Sequence, residues 1–443
     1  MSSPPSSRFE YAQASKSLSQ PELALSDLSP PSVPSPLLSP AVRRVDGGYQ
    51  AWASLIGGLF ATTATFGYTN AFGVYQDIYT REGTASASSI SWIGSTQLFF
   101  LLAMGLPSGV LLDKGYFKVT LASGSLLFAF SLFMLSIADH SKFYQLYLSQ
   151  GLGMGIGAGL IYVPSVAVQG HHWRTRRSLA MGIVVCGSSV GGIIFPIMLN
   201  KLLNGHTGFA WGVRASAFLV LALLVASNVL MTAHPPARTA DARKVDMKAI
   251  LTDVPYLLAN ISTLILDWAL FFPYFYLQLY AILHGVDANV AFYTIAIMNA
   301  AAIPGRILPN YFADRVGPFN VIVPVTLGCA VLLFALFGVK DIGGTVVFAI
   351  LFGFFSGAYL SLCAPCVASL ARDTSEIGAR FGPAYLITSF GALTGNPIAG
   401  ALLGSGFPWW KPILFCGLAS MASLIVLVIA RNMIAARKGT QLV

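Results

Sequence analysis

Residues 299–317 read NAAAIPGRILPNYFADRVG, an apolar helix with an arginine inside it, Arg306, and a charged turn, Asp314-Arg315, near its end. Placing an arginine in hydrocarbon costs about 3 kcal/mol or more, so such a side chain faces a protein interior or a watery cavity. On a helix, Asn299, Arg306 and Asn310 share one face in steps of seven and four, while Ile297, Ile307, Leu308 and Phe312 spread elsewhere. Two readings of Arg306 stand side by side. It is either a structural arginine satisfied by a neighbouring helix's carbonyls or an anion-binding charge in a transport path.

A transport path requires a membrane protein, and the composition describes one. Of 443 residues, 55% are hydrophobic and 10% charged, with mean hydropathy +0.70; soluble proteins carry roughly 25% charged residues. Apolar runs recur along nearly the whole chain after residue 50, each near the roughly 20 residues that span a bilayer. The net charge of +9 sits in short loops between these runs, so it reports topology and not nucleic-acid binding. All five cysteines (Cys186, Cys329, Cys363, Cys366, Cys416) fall in apolar segments, which argues against a disulfide framework. Cys363-Ala-Pro-Cys366 has redox spacing but lies mid-span, away from any βαβ context.

Residues 1–45 are rich in Ser and Pro, without an apolar run, and read as a disordered cytosolic tail. The first long apolar run follows Arg43-Arg44, so it is expected to act as the insertion signal in place of a cleaved leader. Twelve spans are predicted, near 51–76, 89–112, 117–137, 143–169, 178–202, 211–233, 254–283, 289–312, 319–339, 343–370, 379–404 and 409–431. With the N-terminus inside, the even-numbered connections and both tails hold nineteen Lys/Arg and the other side six, leaving Arg306. This positive-inside pattern predicts a multi-pass protein with both termini cytosolic; the plasma membrane is its expected location, with a vacuolar or other internal membrane as the alternative. The segment His171-His172-Trp173-Arg174-Thr175-Arg176-Arg177 is its densest anchor.

The chain also repeats itself. Asp113-Lys114 closes span two and Asp314-Arg315 closes span eight, 201 positions later (314 − 113). The same offset joins Pro164 to Pro365, Ser188 to Ser389 and Pro196 to Pro397. Two parallel six-helix halves are therefore predicted, 46–233 and 254–431, joined by a cytosolic linker at 234–253 and followed by a tail at 432–443. This all-α arrangement resembles the major facilitator fold, in which two halves rock about a central site. Gly105 is the counterpart of Arg306 at this offset, so the charge belongs to one half only. The turns Asp113-Lys114 and Asp314-Arg315 are candidate latches between halves, able to cap helix N-termini.

Two motifs carry a finer resemblance. Asp46-Gly47-Gly48-Tyr49-Gln50-Ala51-Trp52, leading into span one, resembles the opening signature of the monocarboxylate porter family, with one extra residue before the tryptophan. Trp173-Arg174-Thr175-Arg176-Arg177-Ser178-Leu179-Ala180-Met181-Gly182, entering span five, resembles that family's second signature. The fungal branch, which includes riboflavin uptake carriers and metabolite exporters, is the nearer match through Phe66-Gly67-Tyr68-Thr69-Asn70-Ala71-Phe72-Gly73-Val74-Tyr75. By this resemblance Arg306 is the helix-eight arginine that binds a substrate carboxylate. The family's acidic partner falls on Ala302 and its helix-one lysine on Asn70, so neither the lactate carriers' proton coupling nor lactate itself carries over.

A second intramembrane charge, Asp267, lies about 21 Å into span seven from Asp253 at 1.5 Å per residue. It belongs to a stripe of Asn260, Thr263, Asp267, Tyr274 and Gln278, which lines a cavity or a polar helix contact. It is a candidate proton-coupling site or a buried partner for a donor on helix one or eight. Pro273 is expected to bend this span. The alternating glycines from Gly151 to Gly159 lie inside a span, where they allow close helix approach and not nucleotide binding.

The sequence therefore predicts a secondary carrier for a small anionic or polar-aromatic organic molecule, either exporting a metabolite or importing a monocarboxylate or vitamin. Arg306, Asn70, Asn299 and Tyr274 are the candidate substrate-binding residues, with protons as the candidate coupling ion. A monomer in a lipid bilayer is expected, with no cofactor, no metal and no nucleic-acid partner. The six histidines (His140, His171, His172, His206, His234, His284) lie in loops or at span ends and form no catalytic or metal set, which argues against an enzyme. A transporter-like nutrient sensor without net transport is the alternative.

Overall fold

The computed structural model describes residues 46–139, 141–233, 246–372, 376–404 and 408–443. The 1–45 tail, residues 234–245 of the linker, His140 and His234 lie outside that set. Among the described residues, eleven helices are long and apolar enough to cross a bilayer. They are α2 (Ser89–Asp113), α3 (Phe117–Leu135), α4 (Phe143–His172), α5 (Arg177–Leu203), α6 (Gly208–Leu230), α7 (Val254–Leu283), α8 (Ala288–Val316), α9 (Pro318–Gly338), α10 (Ile342–Ser369), α11 (Ile377–Leu403) and α12 (Trp410–Lys438). The first predicted span, α1, is helical in pieces: Tyr49–Thr62, a π-turn at Thr63–Gly67, and Phe72–Arg81.

Side-chain chemistry explains that break. The hydroxyls of Thr63, Thr65 and Thr69 donate back to the carbonyls of Leu59, Ala61 and Thr65, four residues earlier, at 2.7–3.1 Å. Such back-bonding competes with the helix ladder and bends it. The chain then turns at Asn70-Ala71, which places the Asn70 amide at the break. The predicted bend in α7 is present: one piece ends at Leu270, and the next begins at Phe272 with Pro273 in its first turn. Proline lacks the N–H that would continue the ladder.

The halves meet through two equivalent contacts, α2 against α11 and α5 against α8. Where Arg306 of α8 faces α5, its counterpart Gly105 of α2 faces Tyr385 of α11. The starts of α1, α5 and α11 and the ends of α2, α8 and α12 share one face of the bundle, here the terminal face. Residues 246–253 of the linker form a short helix, Met247–Leu251, capped by the Asp246 side chain. The final helix runs to Lys438, through most of the segment read as a tail, and the Val443 carbonyl accepts from the Asn320 amide at 3.0 Å.

Candidate substrate cleft

A cleft of about 370 Å³ opens on the face opposite the terminal face. Both halves line it, with Asn70, Phe72 and Asn200 from α1 and α5, and Phe271, Tyr274 and Gln278 from α7. This volume falls in the range of drug-sized ligand sites, about 300–1,000 Å³. Amides and aromatic rings dominate the wall, and no Lys or Arg is among its described residues. Asn70 donates through Nδ2 to the Ser188 carbonyl at 3.2 Å. The Tyr274 hydroxyl lies 3.1 Å from the Ser356 hydroxyl.

The terminal face is sealed by two carboxylates related by the internal repeat. Asp113, at the end of α2, accepts from the amides of Gly378 and Ala379 at 3.1 and 2.6 Å. Asp314, near the end of α8, accepts from the amides of Ser178 and Leu179 at 2.8 and 2.9 Å. Each carboxylate thus caps the first turn of a helix in the other half, where unpaired amides and the helix dipole both favour negative charge. Their neighbours behave differently. Lys114 is exposed, and Arg315 stacks on Tyr311 of its own helix at 4.4 Å. Arg177 opens α5, close enough for its charge to act on Asp314.

Arg306 is 1% exposed and lies behind the cleft wall, outside the cleft lining. Its Nη1 donates to the Val185 carbonyl at 2.7 Å and to the Ser188 hydroxyl, while Nε has no partner. Ser188 therefore joins two candidate residues, taking Arg306 on its hydroxyl and Asn70 on its carbonyl. Asn299 and Asn310 share the Arg306 face, as the periodicity predicts. Asn299 Nδ2 donates to the Ile295 carbonyl at 3.0 Å and reaches Gly192 at 3.5 Å. Asn310 donates to the Arg306 carbonyl and the Ser361 hydroxyl. A Cβ at Gly182 would sit 2.5 Å from the Arg306 carbonyl oxygen, so only glycine lets α5 lie this close to α8.

Asp267 is 2% exposed, and its Oδ1 makes no hydrogen bond. No ion pair joins it to Arg306, because Arg306 turns toward α5 while Asp267 backs onto α11 at Gly391. Asp267 borders a second, smaller chamber of about 50 Å³, together with Asn260, Thr263, Tyr162, Tyr385 and Cys363. Tyr162 lies near enough to both Asp267 and Arg306 for their charges to act on it.

The two signature motifs, 120 or more residues apart in sequence, form one joint. The Asp46 carboxylate accepts from the amides of Arg174 and Thr175 at 2.6 and 2.7 Å and from the Thr175 hydroxyl. The Asp46 amide donates to the His172 carbonyl at 3.1 Å. Trp52 meets Trp173 edge-on at 5.2 Å between ring centres. Gly47 and Gly48 have φ of 127° and 96°, a backbone that side chains resist, and this fixes the turn into α1. Burial opposes the Asp46 charge, but the Thr175 hydroxyl and the amides of Arg174, Thr175 and Arg176 outweigh it, holding the carboxyl below its ordinary value. Stabilisation of this sign is present above about pH 4 and is lost as pH falls through the lowered value.

Sequence reasoning missed a buried ion cluster on the same face. Arg380, in the first turn of α11, lies 3.3 Å from Asp253 and 3.5 Å from Glu376, and Arg437 reaches Asp253 at 2.9 Å. Charges at span ends read as topology signals in a sequence, and nothing local distinguished Arg380 from its exposed neighbours. Phe271, Tyr162 and Tyr385 were equally unmarked among many aromatics.

The sequence matches the profile of the Major Facilitator Superfamily over residues 54–352. It is 38% identical over 397 residues to the MFS-type transporter pynF of Aspergillus niger, covering 89% of this chain and 91% of that protein. It is 38% identical over 360 residues to the aspyridones efflux protein apdF of Emericella nidulans, covering 81% and 73%. The agnestins efflux protein AgnL12 of Paecilomyces divaricatus is 36% identical over 381 residues, covering 85% and 86%. In fold it resembles the E. coli fucose:proton symporter FucP, with TM-score 0.65 at 17% identity over 87% of this chain and 99% of that one. Helices built to cross a bilayer, a repeat-related pair of caps between two halves, and relatives matched over most of their length agree that this chain belongs to the Major Facilitator Superfamily and is a membrane transporter, not an enzyme.

Proposed function

We propose that the protein is a secondary carrier that exports a small polar-aromatic or anionic organic compound by alternating access, with the terminal face in the cytosol. The carrying observation is that Arg306 is withdrawn from the open cleft and bonded to Val185 and Ser188. An importer that recognises an anion would display this cation in its outward cleft. An exporter needs the reverse, a strong site facing the cytosol and a weak one outside. Opening the terminal face would part α5 from α8 and free Arg306 for substrate, and resealing it would return the guanidinium to Val185 and Ser188. The released compound would then meet no Lys or Arg among the described residues of the outward cleft, whose one charged side chain is the Asp77 carboxylate. The Lys/Arg asymmetry supports the orientation. One chain supplies both cleft walls, which supports a monomer.

The efflux names of two relatives favour export over vitamin or monocarboxylate uptake. The monocarboxylate porter resemblance is supported by the joining of its two motifs at Asp46 and Thr175. Deleting the gene and comparing metabolites inside and outside the cells tests the export reading. A compound retained inside the deletion strain is expected. Identical profiles, with the wild-type protein present at the membrane, would overturn it, and a signalling defect without any retained compound would favour the sensor alternative.

Asp267 is the proposed coupling group, since it is a buried carboxyl deep between helices whose Oδ1 has no hydrogen-bond partner. Across pH 4.5–8, a range set to bracket carboxyl and histidine titrations at about 4–6.5, wild-type transport should depend on pH. Asp267→Asn should flatten that profile. Asp46 is a poor source of such a dependence, because its carboxyl is held below the ordinary carboxylate value by the Thr175 hydroxyl and neighbouring amides. Superimposable profiles from the two proteins would remove Asp267 from the coupling step.

A further inference from the structure

We infer that Phe271 is an inner gate that closes the chamber at Asp267 off from the outward cleft and admits water to it when α7 flexes. Among the described lining residues, Phe271 alone faces both the cleft of about 370 Å³ and the chamber of about 50 Å³. It follows Asp267 by four residues, so its ring stands one helical turn from the carboxyl on the same face. It is also the residue at which α7 breaks, between the pieces ending at Leu270 and beginning at Phe272. Pro273 prevents the ladder from closing over that break. Tilting the outer piece therefore swings the Phe271 ring without disturbing the inner piece, which holds Asp267.

The size and lining of the chamber identify its occupant. It has room for a few waters, each needing about 10–15 Å³ of such volume, and none for an organic substrate. Its polar edge combines Asp267 with Asn260, Thr263 and Thr388. The other titratable groups around Asp267 are Tyr256 on its own helix, Tyr162 on α4, Tyr359, Cys363 and Cys366 on α10, and Tyr385 on α11. No basic side chain is among the described residues that line the chamber, Arg306 included. Water entering past Phe271 would therefore meet one carboxyl with no cation to neutralise it. The gate rests on the reading of Asp267 as the coupling group only for what the water delivers.

Cys363 gives a readout that needs no substrate, because it lines the same chamber. In proteoliposomes, a small methanethiosulfonate should modify Cys363 slowly in the wild type. Phe271→Ala should accelerate the reaction by about tenfold or more, since exposure and thiolate fraction together set thiol reactivity. Phe271→Tyr, which keeps the ring, should stay near wild type, and Cys363→Ser combined with Cys366→Ser, the other thiol lining the chamber, should remove the signal. Equal rates in Phe271→Ala and wild type would overturn the gate. Decay of an imposed pH gradient separates this result from the coupling reading. Faster decay in Phe271→Ala that disappears with added Asp267→Asn supports both. Faster labelling with unchanged decay supports the gate and removes the carboxyl as the proton group.

Discussion

Replacing both Asp113→Asn and Asp314→Asn is expected to open the terminal face and shift the carrier out of the outward-open state. Each carboxylate spends one oxygen on each of two amides in the opposite half. An asparagine keeps one acceptor and turns a donor toward the second amide, which leaves that amide unpaired at a cost of about 1–3 kcal/mol. The lost charge at the helix N-terminus adds about 0.3–1 kcal/mol. Two such losses shift the balance between states by about a hundredfold or more, at about 1.4 kcal/mol per factor of ten. Transport should fall severely while the protein still inserts, because the caps hold two folded halves together without building either. The single variants should fall less. Wild-type transport by the double variant would show that the caps do not govern the conformational balance.

Arg306→Ala should cost transport on the order of a hundredfold, matching the loss of about 2–3 kcal/mol of charge-assisted hydrogen bonding. Arg306→Lys keeps the charge but presents a single ammonium in place of a planar fork. Its effect should be smaller, about tenfold, and should appear as weaker binding from the terminal face. The split between KM and kcat separates two roles for this side chain. A raised KM on the terminal side marks substrate binding, whereas a lowered kcat at unchanged KM marks a strut between α5 and α8. Stable Arg306→Ala protein that exports at the wild-type rate would remove the guanidinium from both roles.

Much of this architecture was legible because a bilayer leaves so few solutions. Apolar length fixed the spans, and the 201-residue offset exposed the duplication before any contact was known. The same offset paired Asp113 with Asp314, and a carboxylate at a helix end has an obvious use at a neighbouring N-terminus. What stayed hidden depends on direction in space. Helical spacing put Asn299, Arg306 and Asn310 on one face, but it could not say that the face turns to α5 and away from the open cleft. Nor could it reveal that Asp46 reaches Thr175, since each motif reads locally as a turn or an anchor. The break in α1 was written in Thr63, Thr65 and Thr69, whose hydroxyls bend a helix only when they turn back on its carbonyls. Phe271 was one aromatic among eight in its span, and only the two cavities beside it single it out.

The central claim is that closure at Asp113 and Asp314 is tied to opening at the far face. Distances between spin labels at both ends test it most directly. One pair would join Tyr116, in the α2–α3 turn, to Arg372, ahead of α11, both exposed at the terminal face. The other would join Thr80, at the end of α1, to Leu279, in the outer part of α7, both exposed at the mouth. With Asp113→Asn and Asp314→Asn in place, the first distance should lengthen as the second shortens. If both distances keep their wild-type distributions, or if both lengthen together, the two faces are not reciprocally gated and the account is contradicted.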